Sequence, residues 1–302
     1  MHIHGFERTL MDEISLRVHV IAGDRFAVLV DTAMIGYEDM MTEALDFVRQ
    51  CGVPLAFIVN THAHHDHIGL NRWVQDQTGA KVLSHPWGSR WIADPDLNYQ
   101  EFVLGFPDII ADTKALRQEV RGTLGDGVPL DMALTGGDFL YPGGLTLEIV
   151  ETGGHVPGEI GILVREARAL ILGDAFTALN LPFFHGHVRP ALYHRTLKRV
   201  RSLVEQGRVD TILSAHLPPW VGVGAILAAI EERQNDLDRL EAAILEMVAG
   251  GADTLRSVWQ AVSQKWNKLP EFRGLAMISA HLDQLVREGR IDREGIYYAM
   301  MP

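Results

Sequence analysis

The sequence predicts a mixed α/β protein followed by a mainly helical tail. Three observations carry this. Between residues 14 and 215, short strand-like runs alternate with segments of helical periodicity. A histidine-rich loop, His155, Asp174 and His216 each fall just past the end of one of those runs. From about residue 225 only helical spacing remains, until a last short turn. The chain has 302 residues, 47% of them hydrophobic, enough for one large domain or one large and one small. No apolar run approaches the ~18 residues of a membrane-spanning helix.

Ile14-Ser15-Leu16-Arg17-Val18-His19-Val20 alternates apolar and polar side chains, the mark of a strand with one buried face. Residues 26–30 follow the Gly23-Asp24 turn as a continuous apolar run ending at Asp31. Residues 38–51 place Met41, Ala44, Leu45 and Val48 on one helical face, and the single cysteine, Cys51, is expected to be a buried structural thiol. Pro54 opens a buried strand over 55–59. A loop rich in metal-ligand residues follows, then a helix opened by Gly69, then a short strand over 80–84 with His85 after it. Residues 86–135 hold Trp87, Trp91, Tyr99, Phe102 and Phe106 with prolines and charges but no strand pattern, which predicts a mainly helical insertion. Its aromatics either line a pocket or pack the inserted helices. Strands return at 145–150, 160–164 and 169–172, a helix at 191–206 and a strand at 211–215.

Leu237, Leu240, Ile244, Met247 and Val248 make one apolar stripe, Leu255, Val258, Trp259, Val262 and Trp266 a second, and Leu275, Ile278, Leu282, Leu285 and Val286 a third. Two short extended pieces over 288–298 complete a pattern that resembles a winged helix. The chain is therefore expected to divide into a main domain over 1–222 and a winged-helix-like domain over 223–302. Residues 225–302 carry nine Lys and Arg against twelve Asp and Glu, whereas a nucleic-acid reader needs a basic face. The tail is expected to pack on the main domain, cover its site or pair two copies as a homodimer. The net charge of the whole chain, −12, also disfavours nucleic acid as partner.

Thr61-His62-Ala63-His64-His65-Asp66-His67-Ile68-Gly69 is the densest chemical signal. His62, His64, Asp66 and His67 suit zinc, and also iron or manganese. Residues at i, i+2 and i+4 do not share a helical face, so these converge from a tight strand-to-helix loop. His155, Asp174 and His216 also follow strand ends. In layered α/β proteins ligands gather along one such edge. Seven ligating side chains can form two sites, three histidines with a shared carboxylate and an aspartate and two histidines with the same carboxylate. Two ions close together bridge a water and bring its pKa to about 7. The resulting hydroxide attacks a carbonyl or phosphoryl centre. Asp66 is the expected catalytic side chain, orienting the nucleophile or passing a proton to the leaving group.

These residues resemble the metallo-β-lactamase-fold hydrolase superfamily. Its His-x-His-x-Asp-His loop is matched by His62–His67, and its later positions by Gly153-Gly154-His155, Gly173-Asp174 and Ser214-Ala215-His216, over residues 14–220. The resemblance implies an αββα sandwich with two divalent metals at one edge. It places His62, His64 and His155 on the first ion, Asp66, His67 and His216 on the second, and Asp174 between them. The bridging Asp is typical of glyoxalase II-like thioesterases, lactonases and phosphodiesterases. Zinc β-lactamases generally have Cys or Ser, or no bridge, in that region. The expected activity is hydrolysis of a small ester, thioester or lactone by a metal-bridging hydroxide, with zinc as first choice. A cytoplasmic setting is expected because residues 1–8 lack a secretory pattern. The alternatives are a phosphodiesterase or endoribonuclease of the same fold, β-lactam hydrolysis as a minor activity, and a non-hydrolytic DNA-binding or iron redox module.

Departures from the family pattern touch the pocket rather than the ligands. His155 sits in Gly-Gly-His-Val-Pro-Gly-Glu where many relatives have Pro-Gly-His-Thr-Pro-Gly-Ser, and His216 in Ser-Ala-His-Leu where Pro-Gly-His-Gly is usual. Lactonases acting on acyl-homoserine lactones often carry a Tyr at the place of Thr177, which counts against that substrate. His65 is expected to support the motif rather than ligate. His185 and His187 are candidates for substrate contact, whereas His85, Tyr193 and His194 read as packing residues.

Overall fold

The structure is a computed structural model that describes the whole chain apart from Met1, Asp12, Glu13, Thr177, Ala178, Asn180, Ile296, Pro302 and the side chain of His2. A first six-stranded sheet runs in sequence order through β1 (His2–Met11), β2 (Ile14–Ala22), β3 (Ala27–Val30), β4 (Leu55–Val59), β5 (Lys81–Ser84) and β6 (Met132–Ala133). The first three strands are antiparallel, and β3 to β6 are parallel. Parallel neighbours need crossovers. Helix α1 (Glu38–Gln50) joins β3 to β4, and α2 (His65–Ile68) and α3 (Asn71–Thr78) join β4 to β5. The insertion before β6 holds α4 (Ser89–Ala93), α5 (Pro95–Phe102) and α6 (Lys114–Glu119).

The second six-stranded sheet contains β7 (Phe139–Leu140), β8 (Leu147–Glu151), β9 (Ile160–Val164), β10 (Ala169–Ile171), β11 (Thr211–Leu213) and β12 (Trp220–Val221), again side by side in sequence order. Only β10 and β11 are parallel, and α7 (Pro190–Glu205) crosses between them. The tail is α8 (Val223–Ala249), α9 (Leu255–Lys265), α10 (Phe272–Arg287) and the hairpin β13 (Ile291–Glu294)–β14 (Tyr297–Met300).

Strand periodicity explains the layering. Val28 and Val30 of β3 and Leu83 of β5 point into a core shared with Ile149, Ile160, Ile162, Val164 and Ile171 of the second sheet. Their neighbours Leu29 and Val82 point the other way, against Met41, Ala44, Leu45 and Val48 of α1. On the far side, Leu163, Leu170 and Ile212 meet Leu197 and Val200 of α7 and Ile226 and Ile230 of α8. Helix, sheet, sheet, helix is therefore the stacking order, the αββα sandwich. Each fully buried Leu, Ile or Val side chain contributes about 1.5–3 kcal/mol relative to exposure.

Several sequence expectations need correction. The pattern before residue 14 predicts no strand, yet β1 is ten residues long and pairs with β2 from His2 opposite Ala22 to Met11 opposite Ile14. Its apolar residues Ile3, Phe6 and Leu10 follow helical spacing, so alternation gives no sign of it. The insertion is not wholly helical, because Met132 and Ala133 add an edge strand to the first sheet. The motif is not all loop, since His65–Ile68 already form a helical turn. Cys51 is only half-buried, at the C-cap of α1, where it packs against the edge of the core that the apolar stripe enters.

Candidate metal centre

The motif loop, His155, Asp174 and His216 follow the C-terminal ends of β4, β8, β10 and β11, and these ends share one edge of the sandwich. The loop is held by a polar network beneath it. Asp31, at φ +61° just past β3, accepts from Thr61 N (2.7 Å), Thr61 Oγ1 (2.8 Å) and His67 Nδ1 (2.8 Å). Asn60 donates to His67 O at 3.2 Å, and Asn71 donates to Asn60 Oδ1 at 2.8 Å.

These contacts fix which nitrogen each imidazole turns inward. His155 Nδ1 donates to Gly186 O at 2.6 Å, and His216 Nδ1 donates to Ser15 O at 2.9 Å. With His67 held by Asp31, three rings carry a proton on Nδ1 and present Nε2 to the interior. Asp174 sits among them. Its Oδ2 faces His155 Nε2 (3.5 Å) and His62 Nε2 (4.0 Å), and its Oδ1 faces His67 Nε2 (3.5 Å) and His216 Nε2 (3.3 Å). Asp66 Oδ2 lies 3.1 Å from His216 Nε2 and 3.8 Å from His67 Nε2. His64 turns Nδ1 to within 3.0 Å of His155 Nε2. The seven side chains thus form two groups, His62, His64, His155 and Asp174 in one and Asp66, His67 and His216 in the other.

The charge state suits cations. Burial keeps His62 and His64 neutral, well below the usual imidazole range, and brings His155 to about 3. Burial alone raises Asp66 and Asp174, but His67 and His216 beside both outweigh it and hold each well below the usual carboxylate range. Burial lowers His67, yet Asp66, Asp31 and Asp174 outweigh that and push it well above its usual value. The pocket therefore calls for positive charge. Buried yet without a hydrogen-bond partner among the described residues are Nε2 of His62 and His67 and both oxygens of Asp174. Such orphaned atoms are rare in folded proteins. The neutral imidazoles of His62, His64 and His155, the ionised carboxylates and the orphaned inward atoms are the donor set of a borderline divalent metal.

The other singled-out residues divide. His185 Nε2 reaches Asp174 Oδ2 at 3.1 Å and faces the cavity in front of the centre. His187 lies behind it, 3.3 Å from His281 Nε2 and packed on Tyr193 with ring centroids 4.2 Å apart. His65 is buried and meets Thr123 Oγ1 at 2.9 Å. His85 caps the turn at Pro86–Gly88 by accepting from Trp87 N, and His194 meets Gln234 of α8 at 3.1 Å. Thr177 lies outside the described residues. Trp87, Trp91, Phe102 and Phe106 line a cavity, whereas Tyr99 is fully buried and bonds Asp112 at 2.8 Å.

Four contributors have no place in the sequence reading. Asp31 follows a strand end, the same signal that marks the other ligands. Glu159 accepts from Asp174 N at 2.7 Å and is kept well above the usual carboxylate range by burial first and by Asp174 second. Gly186 and Ser15 act through backbone carbonyls, which no residue type announces. In front of the centre, Asp66, His185 and His216 open on a cavity of about 400 Å³, which Leu269, Glu271, Phe272 and Arg273 of the tail close from the far side.

The comparisons with known proteins agree with this architecture. The profile of the metallo-beta-lactamase superfamily matches residues 17–216, and the chain belongs to that family. A probable metallo-hydrolase of Bacillus subtilis is 30% identical over 128 residues, which is 42% of this chain and 53% of the relative. A hydroxyacylglutathione hydrolase of Erythrobacter litoralis is 26% identical over 195 residues, or 64% of this chain and 61% of that one. The matched stretch is thus about half to three fifths of these curated relatives' length. A metallo-beta-lactamase family protein of Thermus thermophilus shares the fold over 99% of this chain and 98% of its own, with TM-score 0.77 at 21% identity. A beta-lactamase domain protein of Burkholderia ambifaria does so over 99% and 92%, with TM-score 0.73 at 18% identity. No helix among the described residues is long and apolar enough to cross a membrane.

Proposed function

We propose that this chain is a metal-dependent hydrolase with a dinuclear centre that cleaves a small ester, thioester or lactone. The observation that supports it most is Asp174, whose two buried oxygens face the two histidine groups, Oδ2 toward His155 and Oδ1 toward His216. In this reading His62, His64 and His155 would hold one ion, Asp66, His67 and His216 would hold the other, and Asp174 would serve both. Divalent ions bound there, zinc first and iron or manganese as alternatives, would supply a nucleophile near neutral pH and Lewis acidity toward the scissile carbonyl.

The chain's own residues set the geometry. Asp31, Gly186 O and Ser15 O keep three imidazoles in one tautomer and orientation. Asp66, facing the cavity, orients the attacking oxygen and carries its proton to the leaving group. His185 is placed to hydrogen-bond the substrate. Water adds across the C–O or C–S bond, so the acyl carbon gains the oxygen and the leaving atom gains the proton. Domain 1–222 carries this chemistry, and the winged-helix-like part, 223–302, covers the site. The hydroxyacylglutathione hydrolases among the relatives support a thioester or ester over a phosphodiester, as does the acidic tail. The free thiol of Cys51 fits a cytoplasmic setting.

The test is a panel of thioesters, esters, lactones, phosphodiesters and β-lactams offered to the protein purified with its metals. Turnover of the carbonyl substrates is expected. Turnover of phosphodiesters alone moves the assignment to a nuclease-type phosphodiesterase. Asp66→Asn is expected to lower kcat by about 10²-fold or more, and full activity in that variant removes the proton role.

A further inference from the structure

The centre opens on two cavities of different character, with Phe102 between them. Its ring stacks on His64, centroids 4.1 Å apart, and lines both spaces. The cavity of about 400 Å³ is the one reached by Asp66, His185 and His216. Its walls are mostly apolar, with Leu10 and Ile14 on one side, Leu181 and Phe183 on another, and Leu269 and Phe272 from the tail. Arg273 is the one arginine or lysine among the described lining residues, and its charge is already used. It lies 2.7 Å from Glu271 and 3.1 Å from Glu119, with its guanidinium 4.3 Å from the Phe272 ring centroid. One cation between two carboxylates leaves no free arginine or lysine among the described lining residues to hold a carboxylate or phosphate carried on the acyl chain. The second cavity, about 290 Å³, differs. Arg189 and Arg287 line it without a carboxylate partner among the described residues, while its acids Glu101 and Asp283 are paired with Arg90 and Arg293.

We infer that the larger cavity takes an uncharged alkyl acyl group, with its carbonyl at the centre, and that any charged part of the leaving group belongs on the other side of Phe102. This rests on the hydrolase reading above and adds the class of acyl group. The volume falls within the ~300–1,000 Å³ of small-molecule sites. Each methylene transferred from water into such walls strengthens binding about fourfold.

The experiment is a series of straight-chain thioesters of one thiol, from acetyl to decanoyl, with succinyl as the charged member. With the protein carrying its own metals, kcat/KM is expected to rise about three- to fourfold per methylene until the cavity is full. Succinyl is expected to fall at least ~10-fold below butyryl. Leu269→Asp, at an exposed rim position, is expected to lower the decanoyl-to-acetyl ratio at least ~10-fold. A flat series, or preference for the charged acyl group, overturns the inference. Calorimetry with decanoate against acetate tests the cavity without turnover. Tighter binding of decanoate, weakened by Leu269→Asp, supports the inference even if no thioester is cleaved, which would count against the hydrolase reading instead. Equal binding of the two acids overturns it.

Discussion

At the scale of single residues, the centre depends on groups that never face it. Asp31 holds His67 and clamps Thr61, so it sets both the ring's tautomer and the loop's path. Asn tolerates the left-handed backbone at this position, so Asp31→Asn is expected to fold. It should weaken metal binding about 10- to 100-fold, read by competition with a chromophoric chelator. Unchanged affinity would show that the ring needs no anionic partner. A second residue-scale prediction concerns His19, buried in β2 with its pKa lowered from 6.5 to about 4 by burial, then by Arg17 and His4. The native state binds fewer protons there than the unfolded chain. Its stabilisation is therefore full above pH 6.5 and is lost as pH falls toward 4. Between pH 7 and 4.5 the wild type should lose roughly 2–3 kcal/mol more than His19→Leu, measured by urea unfolding. Equal losses in the two proteins would contradict it.

At the scale of elements, the fit between the His155 loop and α7 is tight. Gly154 has φ +150°, and a Cβ there would lie 2.6 Å from Tyr193 Cα, a backbone atom that cannot step aside alone. Gly154→Ala is expected to cost roughly 2–4 kcal/mol and to displace His155, seen as a lower melting temperature with less bound metal. A change below ~0.5 kcal/mol would mean that the loop absorbs the methyl group. This close approach explains the glycine that precedes His155. The strands that frame the centre were readable because their side chains alternate between two buried faces, as Val28, Leu29 and Val30 do. The seven inward side chains were readable because their types and strand-end positions carry their chemistry. What stayed hidden has physical causes. β1 lacks alternation, and its pairing with β2 supplies order that its own pattern does not. The carbonyls of Gly186 and Ser15 are found only once the chain has folded. Asp31 stands at a strand end as the ligands do, but no motif includes it.

At the scale of the whole molecule, the tail is built into the site. Helix α8 runs from the sandwich, where Ile226 and Ile230 pack with Leu170 and Ile212, to the tail core, where Leu240, Ile244 and Val248 pack with Leu275 and Leu282. Phe272 then packs with Tyr99, Val103 and Val120 of the insertion. A chain ending at residue 222 would expose these apolar faces and is expected to aggregate or unfold without a cooperative transition, a result that circular dichroism melts can check. A soluble fragment with a sharp melt would instead mark 1–222 as self-sufficient. The tail's charge balance and its position over the cavity fit a wall for a small molecule better than a reader of nucleic acid. The most direct test of the two-metal centre is the number of metal ions per chain, counted by native mass spectrometry on protein purified without chelators. The account predicts two ions in the wild type and fewer when Asp174 is replaced by Ala. Fewer than one tightly held ion per wild-type chain would contradict it.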